Sequence, residues 1–190
     1  SWSASKIETW MDKETLSQFP EIQLPDIEQT KFDWPAGTPT LLWNAMVNPW
    51  KGFPVKGVIW YQGEDNWNRA HTYADMFTTL INGWRTEWKQ GDFPFYYCQI
   101  APYDYGIITE RGKEVINTAY LREAQAQVEH RVPNTGMAVL LDAGMEKGIH
   151  PPRKQVAGER LALLALTKTY GIEGVNGESP YYKGIEIKND

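Results

Sequence analysis

The chain has 190 residues, with 24 Asp and Glu against 19 Lys and Arg and a net charge of −5, enough for one domain with a substantial core and without the basic excess that nucleic acid requires. A single cysteine, Cys98, excludes an internal disulfide and leaves the redox compartment open. No apolar run is long enough to span a bilayer, and the opening SWSASKIETW has neither a basic start nor a leucine-rich stretch.

In chain order, Glu21 to Pro39, with its prolines and mixed charges, reads as a long surface excursion, and Leu42, Ala45, Met46 and Pro49 indicate a helix after it. VKGVIWY from Val55 to Tyr61 is a short, almost continuously apolar strand. The clearest helix follows, with Tyr73, Met76, Phe77, Leu80, Ile81, Trp84 and Trp88 at three- and four-residue spacing. FPFYYCQIAP from Phe93 to Pro102 is a second strand that exits at a proline. Val115, Leu121, Ala124 and Val128 then mark a helix, and GMAVLLDA from Gly136 to Ala143 a third strand. A last helix runs from about Pro151, placed as in a first turn, to a stop at Gly171. Such alternation predicts an α/β fold with a mainly parallel sheet, helices on both faces, and functional loops just after Tyr61, Ile100 and Asp142.

Two of those loops carry chemistry. After the first strand comes Tyr61-Gln62-Gly63-Glu64-Asp65-Asn66. Its glycine lets the backbone approach a ligand, and the Gln62 amide can donate to an oxygen that becomes negative in a transition state. Asp65 and Asn66 can equally cap the next helix. After the third strand, Asp142 to Pro152 leads into the last helix with His150 just ahead of it, where a histidine can serve as general base toward a hydroxyl. His71 and His130 sit at helix ends, and a favourable helix dipole accounts for the latter. Nucleophiles are lacking: Ser1, Ser3, Ser5, Ser17 and Ser179 follow no predicted strand and form no G-x-S-x-G elbow, and Cys98 reads as a buried small hydrophobe. No metal-ligand spacing, phosphate-cradling loop or dinucleotide fingerprint appears, so no cofactor is expected. Nine Trp and ten Tyr suit stacking on sugar rings, although aromatic cores are commoner.

GVIWYQGEDN and GIHPPRKQVAGERLAL resemble the sialate O-acetylesterase family of SGNH hydrolases, which carry a GVIWYQGE-x-N strand and a late IHP before the last helix. LLWNAMVNP, WRTEW and LREAQ resemble it too, in the expected order, so the likeness runs from about Ser1 to Gly171. It implies a three-layer α/β/α, flavodoxin-like domain over 1–175, incomplete at its N-terminus, with 176–190 opening a following β-rich region. It further implies a serine in a Gly-x-Ser type block upstream, His150 as its base, and an O-acetylated sugar or glycan as substrate in a periplasmic or secreted setting. Ser3 and Ala4 stand where the family has glycines and where a backbone N–H joins the oxyanion hole. Many SGNH enzymes place an aspartate three residues before the histidine. Lys147 holds that position here, which leaves Glu146, and after it Asp142, as the acid partner of His150. Gln62, Gly63, Glu64, Asn66 and Arg122 are the expected oxyanion and substrate groups, with Gln125 and Asn44 as possible supports. Without the serine the isolated chain is expected to be inactive. The rival readings are a glycosidase using Glu64 and Asp142, and a noncatalytic carbohydrate-binding module.

Overall fold

Strands that are apolar on both faces need cover on both, and the computed structural model, which describes residues 4–26, 28, 31–107 and 118–188, supplies it. Strands β1 (Val58–Trp60), β2 (Phe95–Cys98) and β3 (Thr135–Ala138) form a parallel sheet in the order β1-β2-β3. Val58 is level with Phe95, and Phe95 with Thr135. Among the helices, α1 (Lys13–Leu16) is a single turn, and α2 (Ala70–Trp88), α3 (Ala119–Arg131) and α4 (Lys154–Leu164) carry the packing.

Side-chain alternation along the strands divides the core in two. Trp60, Phe95, Tyr97 and Met137 point to one face, where Tyr73, Phe77, Leu80 and Trp84 of α2 and Leu121 and Val128 of α3 meet them. Tyr96, Cys98 and Ala138 point to the other, under Ala157, Leu161 and Leu164 of α4. This is the expected three-layer arrangement. A chain of indoles crosses the first layer. Trp10 of the N-terminal segment meets Trp60 edge-on at 5.6 Å, Trp60 meets Trp84 at 5.7 Å, and Trp84 stacks on Trp88 at 6.2 Å.

Proline chemistry moves several boundaries. No α-helix forms around Leu42; a π-type turn over Trp43–Val47 gives way to a 3₁₀ turn over Asn48–Trp50, because Pro49 lacks an N–H and its ring crowds the carbonyl four residues back. The last helix begins at Lys154 rather than at Pro151, since Pro152 pushes the residue before it out of helical backbone. It widens into a π-type turn over Ala165–Thr169 ahead of Gly171. The third helix is seen from Ala119, and Val115 lies outside the described residues. The second helix matches its expected span. Residues 176–188 form no regular element, although Tyr181 reaches Glu129 and His130 of α3.

The sheet is open on one side. β1 pairs only with β2, and α4 packs on β2 and β3 but not over β1. Ile59, on that bare face, is therefore 70% exposed.

At the amino ends of the strands a buried arginine holds three chain segments. Arg85, 5% exposed, donates through Nε and Nη2 to the carbonyl of Phe93 at 3.2 and 2.8 Å, and through Nη2 to those of Pro133 at 2.9 Å and Asn134 at 3.3 Å. Removing the guanidinium strands buried carbonyls without donors. Arg85→Met should lower unfolding free energy by about 2–4 kcal/mol, read from urea midpoints, and Arg85→Lys should restore little, because one ammonium cannot reproduce the planar fork.

Candidate active site

All three strands run the same way, so the loops leaving β1, β2 and β3 emerge at one rim. They touch there. Met145 N–H donates to Pro102 O at 3.1 Å and Asp104 N–H to Glu146 O at 3.0 Å, which joins the second and third loops. Trp67 of the first loop meets Tyr105 of the second at 5.9 Å, and the Lys154 ammonium at the start of α4 stands 4.5 Å above the Tyr61 ring. The Gln62 loop and the His150 turn thus share a rim.

The first loop is built on buried amides. Gly63 has φ +150 with its Cα hydrogen turned inward; a Cβ there would meet Gln125 Nε2 and Ile100 Cγ2 at 2.8 Å. Gln125, fully buried on α3, donates to Gln62 O at 3.2 Å and accepts from Ile100 N–H at 2.9 Å. Gln62 is 6% exposed, and each polar atom of its side chain is engaged. Nε2 donates to Ser5 O at 2.7 Å and to Asn66 Oδ1 at 2.6 Å, while Oε1 accepts from the Tyr73 hydroxyl at 2.9 Å. A primary amide has two N–H groups, so none is left for an oxyanion in this arrangement. Asn66, fully buried, accepts from Ile7 N–H at 3.0 Å, and neither it nor Asp65 caps α2, because a 3₁₀ turn over Glu64–Arg69 intervenes.

Glu64 stands closest to the rim chemistry. Burial pushes its carboxyl above the usual carboxylate range, against the pull of its own backbone amide and of Lys154. Burial also pushes the Cys98 thiol up to about 12, with Glu64 adding to the effect, so Cys98 is an inert core residue. Arg122 donates from Nη1 to Thr118 Oγ1 at 2.9 Å, and its carbonyl accepts from Gln99 Nε2 at 3.0 Å.

The acid candidates part company. Asp142 is gripped by Arg160 of α4 through two hydrogen bonds of 2.6 and 2.7 Å, and its carbonyl accepts from Arg153. Those bonds hold its carboxyl at about 2, an ionised group neutralised by guanidinium and unsuited to shuttling protons, which also breaks the Glu64 and Asp142 pair that a glycosidase would need. His150 and Glu146 are exposed on the same turn, with no hydrogen bond joining them among the described residues. Sequence reasoning missed Arg160, whose only signal is a cation in an otherwise apolar helix stretch. It counted Tyr73 as core, whereas its hydroxyl fixes Gln62.

A model of the carbohydrate esterase, sialic acid-specific acetylesterase family matches residues 27–155. The chain belongs to that family. It is 35% identical to the sialate O-acetylesterase of Rattus norvegicus over 79% of this chain and 30% of the relative. The corresponding protein of Homo sapiens is 30% identical over 98% of this chain and 38% of its own length. A crystal structure of a carbohydrate acetylesterase from Xanthomonas citri superposes with a TM-score of 0.75 at 38% identity, over 90% of this chain and 36% of that one. The chain therefore spans about a third of the length of these relatives, and its fold is of their SGNH type. Among the described residues no helix is long and apolar enough to cross a membrane.

Two outcomes check this geometry. Gly63→Ala should destabilise the fold by about 2–4 kcal/mol in urea unfolding, since it combines an unfavourable φ with overlap against Gln125 and Ile100. Asp142 has its folded pKa depressed from 3.8 to about 2, so its contribution is present above 3.8 and disappears as pH falls through that interval. Wild type should accordingly have a higher urea midpoint than Asp142→Asn at neutral pH, and the two should converge near pH 2.

Proposed function

We propose that this chain carries the histidine side of a serine–histidine carbohydrate O-acetylesterase acting on acetyl esters of sialic acids and related sugars, with the nucleophilic serine supplied by sequence outside it. The observation that carries the reading is the meeting of the GVIWYQGEDN loop and the IHP turn at one rim of a parallel sheet, in a chain of this family.

The described serines support an external nucleophile. Ser5 is buried and accepts from Trp10 Nε1 at 2.9 Å, and Ser17 donates to Glu14 O at 2.6 Å on the far helix α1. Ser179 lies in the tail, and Ser1 and Ser3 lie outside the described residues. The unpaired edge of β1 and the bare face around Ile59 fit a further strand and helix docking there, which would deliver a residue to the same rim. Ala4, in the segment to which the family likeness assigns an oxyanion N–H, has φ +52. That is backbone suited to the glycine the family has there.

In this reading His150 takes the proton of the serine hydroxyl as its oxygen attacks the acetyl carbon, and the ester bond to the sugar breaks as His150 returns the proton to the sugar oxygen. Water then repeats the sequence on the acetyl-enzyme and acetate leaves. Glu146 is the carboxylate free to orient His150, since Asp142 is taken by Arg160. Glu64, beneath Lys154 and beside Tyr61, holds the sugar-facing side of the rim. Residues 1–175 belong to the catalytic domain and 176–190 lead out of it.

The isolated chain should give no His150-dependent turnover of p-nitrophenyl acetate. In the full-length polypeptide, acetate release from an O-acetylated sialic acid should fall about 10³-fold or more on His150→Ala with unchanged thermal stability. Turnover by the isolated chain that His150→Ala abolishes, or a full-length enzyme indifferent to that change, would overturn the proposal.

A further inference from the structure

We infer that Gln62 and Asn66 act as positioning residues, a buried amide clamp that fixes the segment Ser5–Glu8 against the loop after β1, and that Gln62 does not itself touch the reacting oxygen. As a statement about catalysis this rests on the acetylesterase reading. As a statement about structure it stands alone.

The segment Ser5–Glu8 crosses the mouth of β1 and belongs to no strand or α-helix, so side chains must hold it. Four links do so. Gln62 Nε2 donates to Ser5 O at 2.7 Å, and Ile7 N–H donates to Asn66 Oδ1 at 3.0 Å. Glu8, 4% exposed, takes a two-pronged contact from Arg69 Nη2 at 2.7 and 2.9 Å, and Trp10 closes edge-on over Trp60. The clamp is internally consistent. Asn66 Oδ1 accepts from both Ile7 and Gln62, so its oxygen faces them, while Tyr73 fixes Gln62 Oε1 and leaves Nε2 toward Ser5. All three bonds of Gln62 would have to break for its amide to face a substrate. Every participating side chain is buried, Gln62 at 6% and Asn66 at 0% exposed, where broken amide bonds are not recovered from water.

The consequence for chemistry is geometric. The clamp joins the turn at Ala4 to the Gln62–Glu64 loop as one rigid piece, and acyl transfer is sensitive to displacements of about 1 Å between reacting groups and their donors. Loss of the clamp should therefore lower kcat through misplacement, while KM, set by sugar contacts, changes little.

The test pairs amide hydrogen exchange on this chain with kinetics on the full-length polypeptide. In wild type the Ile7 amide should be protected. Gln62→Glu keeps the acceptor for Tyr73 and loses both donors, and Asn66→Ala removes the shared acceptor. Each should speed Ile7 exchange by about tenfold or more and lower kcat by about 10²-fold, in parallel. Tyr73→Phe, which deletes one hydroxyl and leaves the fold least disturbed, should shift both readouts in the same direction by less. Unprotected Ile7 in wild type would overturn the inference, as would a large kcat loss in Gln62→Glu with Ile7 exchange unchanged, the signature of a direct oxyanion donor. A wild-type full-length enzyme that releases no acetate would sink the acetylesterase reading alone, leaving the exchange measurements to decide the clamp.

Discussion

Where a buried parallel strand ends, its last backbone groups lose their ladder partners in a place water does not reach, and something else must satisfy them. Gln125 meets that demand for two strands at once. From one position on α3 it takes the Ile100 N–H beyond β2 and gives to the Gln62 carbonyl beyond β1. Its own carbonyl receives the Tyr97 hydroxyl at 2.7 Å. The shape of the first functional loop follows. With the Gln62 carbonyl pinned, Gly63 must turn through positive φ against the Gln125 amide, and Glu64 is delivered to the rim. A side chain touching no substrate sets where the substrate-facing groups stand.

Arg85 does the corresponding work at the opposite ends of the strands, collecting carbonyls ahead of β2 and β3. The sheet is only three short strands wide, so ladder bonds alone hold little of it in register. Two polar side chains from α2 and α3, sunk among aromatic residues, tie strand ends that the ladder leaves loose. Each is unconditional in its setting, because a partly satisfied polar group in a dry core is worse than none.

The architecture was legible in the sequence because it depends on periodicity. The apolar spacing from Tyr73 to Trp88 gave α2 its span, and the apolar runs around Ile59, Tyr96 and Met137 gave the parallel strands. The two loops were legible because polar residues in a row after such a run have no packing purpose. What stayed hidden was pairing across long separations. Nothing local tells that Gln62 answers to Ser5 and Tyr73, or that Asp142 is claimed by Arg160 rather than by His150. The helix boundaries near Pro49 and Pro152 were misplaced for a different reason, since hydrophobic spacing continues through a proline that the backbone cannot follow.

The line of indoles from Trp10 through Trp60 to Trp84 and Trp88 joins the N-terminal segment to the deepest layer of the core. Indoles held edge-on at such separations couple their electronic transitions, and that coupling vanishes when one ring departs. The protein thus carries an unlabelled optical gauge of its own N-terminal segment, with near-ultraviolet dichroism reporting whether Trp10 is seated.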